Sequence, residues 1–261
     1  MIRTLINPNK LPKQAASILE AIAGEGYIAG GYARDVLLGT HTSSDIDIFC
    51  YKQLAIYLDP EGGLGWRDAA TTTWLPRGRI VTALEQLGYE YTRQLPNALE
   101  FTILRKDSKP DHNYRKVQLI VPFKNQWMFT FGRPEDVIGQ FDFTVVMAAL
   151  ETVTTPPLHN SLGLTHGTER VCAIYHEDFH KHSKAKRLYI QHINCPIAVT
   201  MRVNKYVAKG FFAGPKELIK LFQEWDKRDK RYKDRLVDFA NRNDALSPTE
   251  WWEIEKLLRI D

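Results

Sequence analysis

Two aspartates in the stretch SSDIDIFCY, residues 43–51, have the residue type and the spacing of a metal-binding pair. Asp45 and Asp47 stand two positions apart in an apolar run typical of a β-strand, so both carboxylates would leave the same face of that strand. Two unpaired carboxylates side by side on a mostly buried strand are costly. The pattern therefore predicts a cation between them, and a solvated strand edge is the structural alternative.

A glycine pair precedes the aspartates, in the stretch YIAGGYARDVLLG. We expect a short buried strand, a turn at Gly30 and Gly31, and a helix that begins directly after the glycines. The backbone N–H groups of such a turn face an anion at the N-terminus of the helix. Since Mg²⁺ prefers hard oxygen ligands, the sequence predicts one or two Mg²⁺ (or Mn²⁺) ions on Asp45 and Asp47, bridging to a triphosphate on the turn.

This arrangement predicts a reaction. One metal ion would activate an attacking hydroxyl while the other stabilises the leaving pyrophosphate, so a nucleoside monophosphate passes from a nucleoside triphosphate to an acceptor hydroxyl. Such transfer works mainly through positioning and charge neutralisation. Ser43 and Ser44, which directly precede the first aspartate, are further candidates for holding the phosphates.

The same residues resemble a known family. Residues 30–49, GGYARDVLLGTHTSSDIDIF, are similar to the GG-x-x-R-D-x-x-L-G … D-x-D signature of the nucleotidyltransferase superfamily (DNA polymerase beta-like), and within it to the class II tRNA nucleotidyltransferases and poly(A) polymerases. Residues 141–149, FDFTVVMAA, resemble that family's R-R-D-F-T-I-N-A segment. Residues 195–211 match its neck segment in length and hydrophobic pattern. The resemblance implies an ATP-binding or other NTP-binding enzyme that acts on an RNA 3′ end, for instance that of a tRNA.

The resemblance also implies roles for individual residues. Gly30 and Gly31 would contact the triphosphate, and the two strand aspartates would hold the catalytic metals. Arg34 and Asp35 would brace the turn or the nucleotide, and an ion pair on the helix surface is the alternative. Asp142 would lie near the ribose, and a simple helix N-cap is the alternative.

The sequence departs from the family at three places. The family carries a third carboxylate on a neighbouring strand, where this chain offers Gln118, with Glu100 as the other candidate. An amide orders a metal-bound water but is a poor metal ligand and no base. The two arginines before D-F-T are Gln140 and Phe141 here. The nucleotide-reading E-D-x-x-R motif falls on residues 194–198, NCPIA, so the resemblance does not extend to CCA specificity.

Length and composition indicate an ordinary globular protein. The chain has 261 residues, 44% hydrophobic and 25% charged, enough for one large domain or two small ones. We expect an α+β head with a small mixed sheet flanked by helices over residues 1–155, and a mostly helical neck and C-terminal part over residues 156–261. In the head, the patterns predict strands over residues 89–94, 98–105 and 116–122, a helix over residues 135–150, and a lid or insertion over residues 60–79. The last predicted helix covers residues 247–259. We find no apolar run of transmembrane length and no signal peptide, and three scattered cysteines fit a reducing cytoplasm.

Charge favours a polyanionic partner for the C-terminal part. The net charge is +4, and residues 156–261 hold 19 Lys and Arg against 14 Asp and Glu, so the excess lies there. Arg202 and Lys205 are the candidate RNA contacts. The run WDKRDKRYKDR, residues 225–235, is typical of a salt-bridged solvated helix face, with an RNA-backbone surface as the functional alternative.

Two rival functions and one misleading motif remain. The same head would also suit transfer of a nucleotide to a protein side chain, as in toxin-like relatives, or a degenerate nucleotide- or RNA-binding module without activity. HEDFH, residues 176–180, fits the H-E-x-x-H zinc-protease pattern, but its polar surroundings favour an exposed segment without a metal.

Overall fold

The computed structural model describes residues 1–41, 43–52, 55–58, 64–67, 74–75, 79–95, 98–103, 116–120, 131–154, 159–160, 163–164 and 169–241. The α-helices are α1 (Lys13–Ala21), α2 (Gly31–Leu38), α3 (Arg79–Gln86), α4 (Pro134–Ile138), α5 (Phe179–Lys184), α6 (Pro196–Val207), α7 (Pro215–Lys227) and α8 (Lys230–Asn241). The strands are β1 (Ile2–Ile6), β2 (Gly26–Ala29), β3 (Asp45–Cys50), β4 (Ala55–Leu58), β5 (Leu64–Arg67), β6 (Trp74–Leu75), β7 (Tyr89–Leu95), β8 (Ala98–Ile103), β9 (Lys116–Ile120), β10 (Ala148–Thr154), β11 (His159–Asn160), β12 (Gly163–Leu164), β13 (Glu169–Tyr175), β14 (Arg187–Leu188) and β15 (Phe212–Ala213).

An eight-stranded mixed sheet forms the centre of the fold, in the order β1-β13-β10-β2-β3-β9-β8-β7. β3 and β9 run parallel, and the other neighbouring pairs of this sheet are antiparallel. With helices packed around the sheet, the predicted α+β class is confirmed. The predicted strands β2, β3, β7, β8 and β9 are all present, while β1, β10 and β13 extend the sheet beyond the expected small one.

The segment from Glu135 to Leu150 corrects one prediction. We expected a helix throughout, but α4 ends at Ile138, a 3₁₀ turn covers Thr144–Val146, and the chain then enters strand β10. Ala148, Ala149 and Leu150 are completely buried, because β10 lies between β13 and β2 in the sheet. A short run that is apolar on both faces does not distinguish a buried strand from a helix by periodicity alone.

The chain divides into two compact units. The first holds Met1–Gly139 and Val146–Glu177, and the second holds Gln140–Val145 and Asp178–Asp261. This division does not follow the predicted boundary at residue 155, because β13 lies beyond it and pairs with β10 over seven residues. The described part of the second unit is mostly helical, as expected, with β14 and β15 as a short parallel pair.

Several predicted features fall partly or wholly outside the described residues. The expected lid or insertion over residues 60–79 is described only at β5 and β6, which pair with each other and, through β5, with β4. The last predicted helix, with Trp251 and Trp252, lies outside the described residues. No helix in the described ranges has the length and apolar character needed to cross a membrane. All three cysteines are buried free thiols.

Candidate active site

Gly30 makes the turn between β2 and α2. Its backbone, with φ of 80° and ψ of −140°, lies in a region open only to glycine. Its N–H donates to the Ala148 carbonyl at 2.9 Å, and its own carbonyl accepts the N–H of Arg34 at 3.1 Å. These two bonds fix the start of α2 at the end of β2. The N–H groups of the first helical turn, beginning at Gly31, therefore lack intrahelical acceptors and have the positive end of the helix dipole.

Asp45 and Asp47 lie on one face of β3, as predicted. Both are half-buried, while Ile46 and Ile48 between and beyond them are completely buried on the opposite face. β2 and β3 are antiparallel, and their register sets Asp47 opposite Ala29, the residue that precedes Gly30. The two carboxylates therefore leave β3 beside the strand that ends in the glycine turn. Gly30 is buried and Gly31 is half-buried.

A buried hydrogen-bond network joins α2 to the segment that precedes β3. Arg34 and Asp35 are 1% and 2% exposed, and the guanidinium donates to Asp35 Oδ1 from Nε at 3.0 Å and from Nη2 at 2.7 Å. Asp35 Oδ2 accepts the Ser43 N–H at 2.6 Å, and Oδ1 also accepts the Thr40 hydroxyl at 3.1 Å. The alternative of an exposed helix-surface pair is therefore wrong. Through the Ser43 N–H, Asp35 holds in place the segment that leads into β3 at Asp45.

The two serines before β3 differ in their surroundings. Ser43 is buried, and its Oγ lies 3.4 Å from Arg34 Nη2. Ser44 is exposed, so its side chain is accessible to a ligand. The structure thus uses Ser43 in the network around Asp35, and the assignment of either serine to phosphate binding stays a prediction.

The strand register places Gln118, and not Glu100, next to Asp47. Parallel pairing sets Gln118 of β9 opposite Asp47, and antiparallel pairing sets Glu100 of β8 opposite Gln118. Residues opposite one another share a face, so all three side chains leave the same face of the sheet. Glu100 is one strand further from Asp47 than Gln118 is, and neighbouring strands are about 4.8 Å apart.

Glu100 is held by two cations. Its carboxylate accepts from Arg93 at 3.1 and 3.3 Å and from Lys116 at 3.1 Å, and the residue is only 3% exposed. Burial alone would raise the pKa of the Glu100 carboxyl, but the hydrogen bonds from Arg93 and Lys116 outweigh it and lower the pKa. The register also places Lys116 opposite Asp45. Sequence reasoning missed this cluster, because no signal along the chain places Lys116 next to both carboxylates.

Asp142 and Arg202 form an ion pair within the second unit. Asp142 is buried, and its backbone carbonyl accepts the Gln191 N–H at 2.8 Å. Among the described residues its carboxylate makes no bond to a helix N-terminus, so the N-cap alternative is wrong. Arg202, a predicted RNA contact, is engaged by this carboxylate, whereas Lys205 is exposed. The predicted place of Asp142 near a ribose stays a prediction.

The positions of the family's nucleotide-reading motif serve another purpose. Cys195 is the N-cap of α6, and its Sγ accepts the Ala198 N–H at 3.4 Å. A thiol in this role presents no carboxylate or guanidinium edge to a base. The HEDFH residues do not form the single helix of the H-E-x-x-H pattern, since β13 ends at Tyr175 and α5 begins only at Phe179, so His176 lies outside the helix that contains His180.

The donor set on β3 suits a hard divalent cation. Two half-buried carboxylates stand on one face, with the amide oxygen of Gln118 next in the row. In the part of the chain that is described, no group of three or more His, Cys, Asp or Glu side chains is placed to hold a metal ion. Two carboxylates are nevertheless sufficient for Mg²⁺ that is also bound by substrate phosphates. The site therefore fits a metal that arrives with a nucleotide.

Solved structures share this architecture. A CCA-adding enzyme in complex with ATP matches 98% of this chain and 51% of its own, with a TM-score of 0.52 at 12% sequence identity. The fold is nucleotidyltransferase-like. A CCA-adding enzyme with CTP matches with a TM-score of 0.50 at 12% identity, over 87% of this chain and 47% of its own. The resemblance stated from residues 30–49 is thus confirmed for the fold.

These matches cover a much larger share of this chain than of the enzymes it is similar to. The Thermotoga maritima CCA-adding enzyme complexed with tRNA matches all of this chain but 52% of its own, with a TM-score of 0.49 at 12% identity. This chain thus spans about half the length of the enzymes it matches. No protein-family model and no curated protein matches its sequence.

Proposed function

We propose that this chain is a Mg²⁺-dependent nucleotidyltransferase that transfers a nucleoside monophosphate from a nucleoside triphosphate to an acceptor hydroxyl and releases pyrophosphate. The observation that carries the proposal is the placement of Asp45 and Asp47 on one face of β3, next to the strand that ends in the Gly30 turn. A nucleotidyltransferase-like fold around this constellation supports the assignment.

Each part of the constellation has a task in this reaction. The N–H groups at the start of α2 bind the triphosphate, because they lack intrahelical acceptors and lie at the positive end of the helix dipole. Asp45 and Asp47 would hold the metal, and the charge that the metal would supply is what the phosphates and the attacking oxygen require in this reaction. Asp35 keeps the segment before β3 in place through the Ser43 N–H. Positioning of this kind supplies most of the catalysis in phosphoryl and nucleotidyl transfer.

The acceptor we propose is an RNA 3′ end of a tRNA-like molecule. Solved structures of similar fold include CCA-adding enzymes in complex with ATP and with CTP, and the basic excess of this chain lies in its C-terminal part. CCA specificity is not part of the proposal, because Cys195 and Ala198 form a helix cap where the nucleotide-reading motif would lie.

Two other functions are favoured by particular residues. The amide of Gln118 beside Asp47, in place of a carboxylate, favours a nucleotide- or RNA-binding module without catalytic activity. The altered reading motif at Cys195 favours an acceptor other than tRNA, such as a protein side chain. An incorporation assay together with a nucleotide-binding measurement distinguishes the three functions.

The test offers each α-labelled NTP in turn, with Mg²⁺, to the protein alone and to the protein with total tRNA. We expect label in the RNA, and a loss of at least about 100-fold in rate for Asp45→Asn and for Asp47→Asn, because each removes one metal-binding charge. Asp226→Asn, on an exposed face of α7, is the matched control and should retain full activity.

Three outcomes contradict the proposal in different ways. Labelling that persists when both strand aspartates are replaced excludes them as the metal site. Label in the protein and none in the RNA supports the protein-modifying alternative. No label with any NTP, together with nucleotide binding in equilibrium dialysis, supports the module without activity.

A further inference from the structure

Positive charge is concentrated in one stretch of the chain, residues 181–216. This stretch holds eight Lys and Arg and neither Asp nor Glu, whereas residues 217–261 hold ten Lys and Arg against eleven Asp and Glu. The basic excess of the C-terminal part therefore comes from the segment that includes β14, α6 and β15. The alternating charges of residues 225–235 lie outside it, in a region that is close to neutral.

β14 and β15 bring cations and aromatic rings of this stretch together. The two strands pair in parallel, with Arg187 opposite Phe212, and the Phe212 N–H donates to the Lys186 carbonyl at 2.9 Å. The Arg187 guanidinium lies 5.0 Å from the centre of the Phe212 ring, and Lys186 Nζ lies 4.6 Å from that of Phe211. Lys186 has a φ of 54°, a left-handed conformation that is uncommon outside glycine.

A third cation continues the cluster from the end of α6. Lys209 Nζ lies 5.7 Å from the Tyr206 ring, and the Tyr206 and Phe211 rings meet edge-to-face with their centres 5.8 Å apart. Tyr206 and Phe211 are buried, so they form the floor of the cluster, whereas Phe212 is 46% exposed. We name Lys186, Arg187, Lys209 and Phe212 the basic–aromatic patch.

The charges of Lys186 and Arg187 lie at the surface. Both side chains are exposed, and no acidic side chain in the described residues forms an ion pair with either of them. The nearest acidic residues along the chain are already engaged, since Asp178 pairs with Lys181 and Glu217 pairs with Lys220. Arg187 Nη1 also donates to the Tyr189 hydroxyl at 3.5 Å, but a neutral acceptor leaves the charge of the guanidinium in place. Among the described residues, both cations are therefore available to a polyanion.

We propose that the basic–aromatic patch binds the RNA acceptor, with Lys186, Arg187 and Lys209 on phosphates and Phe212 as a stacking platform for an unpaired base. This inference rests on the proposed function and specifies where its acceptor binds. Clustered cations that flank an exposed ring are the combination that single-stranded nucleic acid requires, because phosphates need neutralisation and unpaired bases need an aromatic face. An RNA with an unpaired 3′ end offers both groups.

The charge part is tested by fluorescence anisotropy with a 5′-labelled tRNA transcript, without NTP, over a range of salt concentrations. The variant Lys186→Glu/Arg187→Glu should bind about tenfold or more weakly, and its slope of log affinity against log salt should fall by about 1 to 2. The matched control is Lys230→Glu/Arg231→Glu, an equal charge change at two adjacent exposed cations of α8 in the same unit. It should bind within about twofold of the unchanged protein.

The stacking part is tested with Phe212→Ala and Phe212→Trp. The alanine variant should bind an unstructured RNA about tenfold more weakly with an unchanged salt slope, because stacking involves no counterion release, and the tryptophan variant should bind as the unchanged protein does. Circular dichroism and the melting temperature verify that each variant is folded.

The proposed site is overturned by equal losses in the two charge variants, by no loss in either, or by binding to anionic vesicles without binding to RNA. Failure of the enzymatic proposal is a separate result. Asp45→Asn/Asp47→Asn should bind the transcript as the unchanged protein does. If the protein binds RNA through the patch but transfers no nucleotide, the patch is supported and the catalytic assignment is contradicted. If the protein transfers nucleotides to RNA and the patch variants do so equally well, the catalytic assignment is supported and the patch is contradicted.

Discussion

Gln118 is the residue at which this site departs most from a three-carboxylate arrangement. The sequence alone leaves Gln118 and Glu100 as alternatives for the third position. The structure places both in one row with Asp47 and gives Gln118 the adjacent position. Glu100 is already bound by Arg93 and Lys116, so its charge is balanced without a metal.

Replacing Gln118 by Glu tests whether the row forms a metal site. The new carboxylate would stand directly beside Asp47, and a third negative oxygen ligand strengthens the binding of a hard divalent cation. We expect Gln118→Glu to bind Mn²⁺ at least about threefold more tightly, with a changed rate or metal preference in the incorporation assay. Isothermal titration of Mn²⁺ in the presence of a non-hydrolysable NTP measures the affinity.

The control for this variant is Gln191→Glu, which adds the same charge at an exposed position of the second unit. This control distinguishes the effect of an added metal ligand at position 118 from the effect of one more negative charge elsewhere on the protein. Equal Mn²⁺ affinities for Gln118→Glu and the unchanged protein would place residue 118 away from the metal.

At the scale of elements, the unit from β2 through α2 to β3 could be predicted because each of its parts has a local signal. The glycine pair marks a turn, Gly39 ends the helix in a left-handed conformation, and alternation places both aspartates on one face. The bonds from Asp35 to Thr40 and to the Ser43 N–H have no such signal. They depend on the path of the segment after the helix, so the sequence alone also allows an ion pair at the helix surface.

Asp35→Asn should weaken this unit strongly. The substitution removes the charge that compensates the buried Arg34 and replaces one accepting oxygen by an amide nitrogen that cannot accept a hydrogen bond. Loss of one partner from a buried ion pair costs about 3–5 kcal/mol of the free energy of unfolding. Urea denaturation followed by circular dichroism measures the change. Asp136→Asn, at an exposed pair with Arg133, should cost less than about 1 kcal/mol, and comparable losses in both variants would contradict the structural role of Asp35.

At the scale of the whole molecule, the sequence predicts too small a sheet, because the pairs β1–β13 and β10–β2 join strands that are far apart along the chain. β1 was assigned no structure, β10 was assigned to a helix, and β13 was placed beyond the head domain. Each pairs with a partner that local pattern does not identify, since β13 joins β1 on one side and β10 on the other. The strands near the aspartates are easier to predict from the sequence, because β2 and β3 follow one another closely along the chain.

The extent of the first unit gives a prediction for truncated chains. A fragment of residues 1–177 keeps β13, whereas a fragment of residues 1–155 leaves β10 and β1 without the strand that pairs with both, and exposes buried backbone groups of β10. Phe143 packs against Tyr206 in the second unit at 5.5 Å, so Phe143→Ser is included in both fragments to keep them soluble.

We expect the 1–177 fragment to melt in one cooperative transition by circular dichroism and the 1–155 fragment to show none. Only the longer fragment retains all eight strands of the sheet, from β1 at one edge to β7 at the other. Full-length protein carrying Phe143→Ser serves as the reference for that substitution. Equally cooperative melting of both fragments would mean that β13 is dispensable and that the head ends near residue 155. The result therefore decides how much of the chain must accompany Asp45 and Asp47 in any minimal form of the site.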